Sequence, residues 1–335
     1  STMQDAISAP KVGGIVRLTR FILKGTFGIE LLGALFLLPV FLRDYGGKGI
    51  WMALFHSVSA FCNAGFDLLG TKWHPFVSLT SYAVNPVINI VIMLLIIIGG
   101  IGFFTWEDIY LHKFHFKHYH MQSKVILTTT LCLILLPAVF FFFQDYGKLS
   151  GIDRLLASLF QAVTPRTAGF NTTDLSMLTG ASKAMMILLM LIGGSPSSTA
   201  GGMKTTTIAV LFAIAIATFR RREDANFFGR RINGDVLKNA ATVFLMYITL
   251  SGVGGLIISI TEDLPILTCL FEAASAVGTV GLSLGITPGL GMLSRIILIS
   301  LMFIGRVGGL TLIFAALSGT HHHVSKLPRE KITVG

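Results

Sequence analysis

Three short stretches of the chain could bring backbone carbonyl oxygens around one axis. They are LFHSVSAFCNAGFD from Leu54, LFQAVTPRTAGFN from Leu159 and LFEAASAVGTVGLS from Leu270. Each opens on a Leu-Phe pair and closes at a glycine, Gly65, Gly169 or Gly281, with Phe-to-Gly separations of 10, 9 and 10 residues. Glycine takes positive φ without steric penalty, so it supplies the sharp turn that such a run needs. The third run ends in Thr279-Val280-Gly281. A Thr-Val-Gly turn opens the loops whose carbonyls replace the hydration shell of an ion, a chemistry that holds a cation and breaks no bond.

Apolar runs of about 10 to 14 residues read as re-entrant rather than spanning. Each is followed, one helix later, by a second marker: IIIGGIGF around Gly99, MLIGGSPS around Gly193 and MFIGRVGG around Gly305. The repeat is therefore a unit of spanning helix, short helix dipping into the membrane, glycine loop and second spanning helix. A short helix entering from outside points its negative C-terminal end at the bilayer centre. Irregular backbone at that depth survives only inside protein or beside a water-filled cavity, so the three loops should converge on a shared, cation-attracting pore.

Composition agrees with membrane residence. Of 335 residues 53% are hydrophobic and 13% charged, against about 25% charged in soluble domains. Val84 to Phe104, Ser123 to Phe143, Val236 to Ile260 and Met292 to Leu317 read as spans of about 20 apolar residues. Leu18 to Leu42, with Lys24 and Glu30 inside it, and Ala181 to Thr218, interrupted midway, are less clean. The net charge of +10 lies between apolar segments rather than on one polar face, which argues against nucleic acid. Lys and Arg mark the cytoplasmic side. That rule puts Lys11 to Lys24, Lys113 and Lys117, Arg220 to Lys238 and the tail from Lys326 inside, both termini included. Cys62, Cys132 and Cys269 lack metal or disulfide spacing and read as core packing. His112, His115, His118 and His120, interleaved with Lys and aromatics, read as an interfacial loop, and His321 to His323 as a solvated tail or a contact with a partner.

With SAFCNAGF, FQAVTPRTAGFN, FEAASAVGTVGL, MFIGRVG and IGGSPSSTAGGMK together, the chain resembles the membrane subunits of the Trk, Ktr and HKT potassium transporters, most closely the bacterial KtrB type. The resemblance implies an all-α membrane protein with four helix, pore-loop, helix units around one pseudo-fourfold pore. Three units are visible: 1–121, 122–235 with an interrupted inner helix, and 236–318, followed by a cytoplasmic tail, 319–335. The opening STMQDAISAPKVGG has no apolar signal-peptide region, and the first unit of the family is expected to be missing from this chain. Position by position, the resemblance implies filter backbone at Asn63, Ala64, Gly65 and Phe66, at Thr167, Ala168, Gly169 and Phe170, and at Thr279, Val280, Gly281 and Leu282. It implies K⁺ as the ion taken up across a bacterial plasma membrane, passively or with Na⁺. It also implies a homodimer of membrane subunits, and a cytosolic, nucleotide-binding RCK-type ring (KtrA-like) that regulates it.

The same resemblance makes Gly193-Gly194-Ser195-Pro196-Ser197-Ser198-Thr199-Ala200-Gly201-Gly202-Met203-Lys204 an intramembrane loop that blocks the pore below the filter. The residues agree, since glycine and proline break helices and the flanking arms are each too short to span. Arg306, mid-span and too deep to snorkel, is a functional candidate as a barrier to cations, as a cap on loop carbonyls, or both. Lys204 could bond carbonyls or repel cations. Arg166 is read as bracing its loop at the outer mouth, and Glu30 and Glu272 as structurally paired. A solute transporter with a broken-helix site explains 193–204 but not three glycine loops. No phosphate-cradling motif or nucleophile and base pair is visible, so an enzyme is not expected.

Overall fold

The computed structural model describes residues 12–113, 115–149, 151–222 and 224–307. Among them the chain is helical apart from turns and one two-stranded hairpin, β1 (Asn226–Phe227) with β2 (Arg230–Arg231). The first unit is α1 (Val12–Tyr45), the short α2 (Lys48–Phe61), and α3 (Pro86–Gly100) with α4 (Phe103–His112). The second is α5 (Met121–Gln144), the short α6 (Gly151–Val163), and α7 (Gly180–Leu191) with α8 (Thr205–Phe219). The third is α9 (Gly234–Glu262), the short α10 (Ile266–Val277) and α11 (Met292–Val307).

Length separates the helices by task. At 1.5 Å rise per residue, the 24 residues of α5 reach about 36 Å and cross a hydrocarbon core of ~30 Å. Those of α2, α6 and α10, with 14, 13 and 12 residues, reach only about 18 to 21 Å and stop inside it. The long helices turn apolar residues such as Phe27, Leu136, Phe143 and Leu245 outward, which a protein in water would not do on this scale. The short helices are instead buried along most of their length.

Two expectations need correction. Val84 to Phe104 is not one straight span: α3 ends at Gly100 and the chain turns by 98° into α4. Gly102 makes the turn with φ +91°, its α-carbon pressed against the carbonyl of Pro196, so that a side chain there would collide with backbone. The cysteines are not all core residues, since Cys269 is buried while Cys62 and Cys132 are exposed. The Ala181 to Thr218 window breaks where expected, into arms of 12 and 15 residues. Met292 to Leu317 is described to Val307, and His321 to His323 and the tail lie outside the described residues.

The short helices are held by glycine contacts on the inner helices. A Cβ on Gly99 would overlap the carbonyl oxygen of Phe61, the last residue of α2. One on Gly305 would overlap that of Val277, the last residue of α10. The second markers of the first and third repeats thus mark the same contact. Gly305→Ala is expected to lower stability by about 1–3 kcal/mol through overpacking against backbone. Gly252→Ala, on α9 with nothing within 4 Å of the added carbon, should be neutral or better. Thermal unfolding of the two variants in detergent checks the contrast, and equal melting temperatures would refute it.

Candidate ion pathway

Past α2 and α10 the backbone closes the same way. Asn63 and Thr279 donate their amides to the carbonyls of Ala60 and Ala276, and Ala64 and Val280 donate theirs to Ser59 and Ser275, at 2.8 to 3.1 Å. This pair of bonds is a Schellman closure, in which the turning residue is left-handed and usually glycine. Here it is Asn63 (φ +50°) and Thr279 (φ +54°). The second loop differs: α6 ends three residues after Phe160, and the turns of 164–168 take up the remainder before Thr167 reaches φ +62°. That explains the one-residue-shorter spacing in the sequence.

All three loops then share one pattern. Asn63, Thr167 and Thr279 have positive φ, as do Gly65, Gly169 and Gly281 at +73°, +80° and +89°, while Ala64, Ala168 and Val280 between them do not. A strand with uniform φ sends successive carbonyls to opposite sides; inverting φ at every second residue brings them to one side. A threonine at positive φ is a steric outlier and left-handed backbone costs about 1–2 kcal/mol. Such strain gathers where function requires it. The hydroxyls of Thr167 and Thr279 are buried and have no hydrogen-bond partner among the described residues.

The loops also touch in sequence order. A Cβ on Gly65 would strike the Ala168 carbonyl oxygen, and one on Gly169 would strike that of Val280. Asn63 Nδ2 donates to the Arg166 carbonyl at 3.0 Å. The structure therefore brings the twelve expected filter residues together as three adjoining walls. Phe66 is exposed, whereas Phe170 and Leu282 are buried, so the walls are not copies.

Segment 193–204 lies against these walls and is a closed loop rather than an open hairpin. Gly193 N donates to Met203 O (2.8 Å) and Thr205 N to Gly194 O (3.0 Å), pinning its ends together. It is stitched to the break after α3 by Ser195 N to Gly100 O (2.9 Å), Thr199 N to Gly99 O (3.2 Å) and Phe103 N to Ser197 O (2.8 Å). Thr199 Oγ1 donates to Phe61 O at 3.0 Å and approaches Asn63 Oδ1 at 3.3 Å, and Gly201 packs on the Thr279 side chain. Two cations hold its crest: Arg306 Nη1 donates to Thr199 O (3.2 Å) and Lys204 Nζ to Ala200 O (2.9 Å). Arg306 is exposed as well as bonded to the loop, where it caps a carbonyl, one of the roles anticipated for it.

Other residues land elsewhere. Arg166 is not at an outer mouth: it is 2% exposed, its Nη2 donates to Thr130 Oγ1 of α5 at 3.2 Å, and it lies beside Gly100. Glu30 takes the Cys62 thiol at 3.8 Å, and its own carbonyl takes the Ser57 hydroxyl at 2.6 Å. Among the histidines, His120 Nδ1 pairs with Asp108 at 2.6 Å while the His112 ring stands 3.8 Å from the same carboxylate. Glu272 is structurally paired as expected, and the sequence reading missed the set of loop anchors to which it belongs. Ser59 donates to Phe66 O at 2.7 Å, Thr164 donates to Phe170 O, and the residue after each Phe, namely His56, Gln161 and Glu272, receives the returning strand. The signal was present as a polar residue inside an apolar repeat, at one fixed place after Leu-Phe.

A sequence profile of the TrkH family, described as cation transport protein, matches residues 2–322. The chain belongs to the TrkH family of cation transport proteins. It is 37% identical to the potassium/sodium uptake protein NtpJ of Enterococcus hirae, over 99% of this chain and 75% of that protein. It is 38% identical to Ktr system potassium uptake protein B of Bacillus subtilis, over 93% of this chain and 70% of that one. The fold is that of the potassium transporter TrkH from Vibrio parahaemolyticus, with a TM-score of 0.74 at 19% identity, covering 94% of this chain and 67% of that structure.

For a TrkH-family pathway, magnitudes decide which groups matter. A helix end carrying about half a negative charge attracts a monovalent cation by only ~1 kcal/mol at ~6 Å and an effective dielectric near 20. Bringing an ion out of water costs tens of kcal/mol. Three helix ends bias the site toward cations, but only coordinating oxygens close the gap. The conformation of the glycine turns is therefore the critical element. Gly281→Ala meets no atom within 4 Å and should lose only the left-handed strain of about 1–2 kcal/mol. Gly65→Ala adds a collision with the Ala168 carbonyl and should unfold at a clearly lower temperature. Equal losses in detergent melts would contradict the wall-to-wall contact.

Proposed function

We propose that this chain forms the pore of a potassium uptake system in the bacterial plasma membrane. K⁺ would pass a filter of backbone oxygens at 63–66, 167–170 and 279–282, passively or with Na⁺. The observation that carries the reading is the φ alternation repeated at Asn63-Ala64-Gly65, Thr167-Ala168-Gly169 and Thr279-Val280-Gly281. It has no use in a packed core and a direct one in lining a pathway with carbonyls. Two relatives named for potassium uptake support it.

In this reading the units are 1–121, 122–235 and 236–318. The basic segments Lys113 to Lys117 and Arg220 to Lys238 face the cytoplasm with both ends of the chain. A fourth wall between the third and first loops completes the pore, as the family resemblance implies. The loop Gly193 to Lys204 is the gate. It lies against the filter at Phe61, Asn63 and Thr279, and its Thr199 and Ala200 carbonyls are held by Arg306 and Lys204. Opening requires those bonds to break, and the two cations then stand where a permeating ion must pass. A cytosolic RCK-type ring acting on the basic inner surface of a membrane-subunit dimer supplies the gating energy.

Two measurements test this. Reversal potentials of the full-length protein in vesicles under opposed K⁺ and Na⁺ gradients should show selection for K⁺, and equal permeability sinks the filter. Arg306→Ala should raise K⁺ flux about tenfold or more, the scale of removing one charge-assisted bond of 1.5–3 kcal/mol. An unchanged flux in a folded variant removes the gate.

A further inference from the structure

Each short helix carries a different polar residue directly after its Phe: His56 in α2, Gln161 in α6 and Glu272 in α10. All three are buried, at 0%, 2% and 4% exposure. Each reaches past its filter glycine to the strand that returns outward. His56 Nε2 accepts the Leu68 amide at 3.3 Å, three residues beyond Gly65. Gln161 Oε1 accepts the hydroxyls of Thr173, four residues beyond Gly169, and Tyr146, at 3.4 and 3.1 Å. Glu272 Oε1 accepts the Leu284 amide, three residues beyond Gly281, at 2.9 Å and the Ser283 hydroxyl at 2.6 Å, while Oε2 accepts that of Thr287 at 2.9 Å.

The chemistry differs but the role is constant. His56 uses both ring nitrogens: Nε2 accepts, so the proton sits on Nδ1, which faces the Met52 carbonyl at 2.7 Å. Gln161 adds a contact from Nε2 to Met186 Sδ at 3.1 Å. Glu272 gathers three donors on its two carboxylate oxygens, from Ser283, Leu284 and Thr287. Nothing about holding α2, α6 or α10 in place requires an acceptor aimed at the far side of the loop.

We propose that His56, Gln161 and Glu272 are one repeated positioning site. In each wall a buried acceptor pins the outer end of the filter loop and so sets the spacing of its carbonyls and the preference for K⁺ over the smaller Na⁺. The inference rests on the reading of these loops as a cation filter. A loop pinned only at its helix end can close on a smaller ion. One pinned at both ends resists that closure, so loss of an anchor admits Na⁺ without abolishing conduction.

The test uses the full-length protein in lipid vesicles, with reversal potentials under opposed K⁺ and Na⁺ gradients and size-exclusion profiles for folding. Glu272→Leu should lower the K⁺ to Na⁺ permeability ratio about 5- to 10-fold, the scale of one or two buried hydrogen bonds. Glu272→Gln keeps an acceptor for the Leu284 amide and should retain the ratio within a factor of about two. Thr287→Val and Thr173→Val remove donors on the loop side, outside the short helices, and should shift the ratio in the same direction. The proposal is overturned if Glu272→Leu keeps the wild-type ratio, or if Glu272→Gln falls as far as Glu272→Leu. Should Glu272→Leu fail to fold, unchanged ratios in both threonine variants overturn it equally. A wild type that does not distinguish the ions sinks the filter reading itself, which separates the two failures.

Discussion

A backbone that leaves the helix midway through a membrane must find partners for its amides, since the bilayer offers none. The rest of this structure follows from that constraint. Each of α2, α6 and α10 stops short, and the amides just past its end turn back onto the helix's own last carbonyls. Among the described residues the carbonyls of 63–65, 167–169 and 279–281 accept no backbone hydrogen bond. A helix closed as α2 and α10 are usually takes glycine at the left-handed position; Asn63 and Thr279 stand there instead, and Thr167, also at positive φ, keeps a polar side chain at the base of the second loop. Close helix contact then becomes necessary, and the glycines at 99 and 305 admit the ends of α2 and α10 against the inner helices.

The interrupted segment between α7 and α8 meets the same constraint differently. Neither arm is long enough to cross, and the ends of the segment between them are pinned together by their own backbone. The segment is held to its surroundings by its bonds to the break after α3, by the Thr199 hydroxyl and by Arg306, while Lys204, its own last residue, caps Ala200 from within.

Much of this was legible in the residues. Runs too short to span, ending in glycine and repeated three times, announced re-entrant helices, and the interruption at Gly193 to Lys204 announced a broken helix. Other features lay beyond pattern reading. The bend after Gly100 was hidden because Ile98 to Phe104 is uniformly apolar, and what turns the chain is the approach of Pro196 to Gly102 from ninety residues away. Arg166 could not be placed from its neighbours, because its burial depends on Thr130 of another helix. Glu272 was legible as a paired acid in an apolar run, but His56 and Gln161 escaped because they share its position and not its chemistry, and similarity of side chains is what a repeat search rewards.

The unequal walls carry a consequence for how such a pore changes over time. In a channel assembled from identical subunits, one altered codon changes every face of the ion path at once. Here Thr279 and Thr167 stand where Asn63 does, and a histidine, an amide and a carboxylate share one duty. In the proposed pore a single substitution would therefore perturb one wall and leave the others unchanged. Drift can explore one wall at a time, and the ion path need not stay symmetrical to stay open.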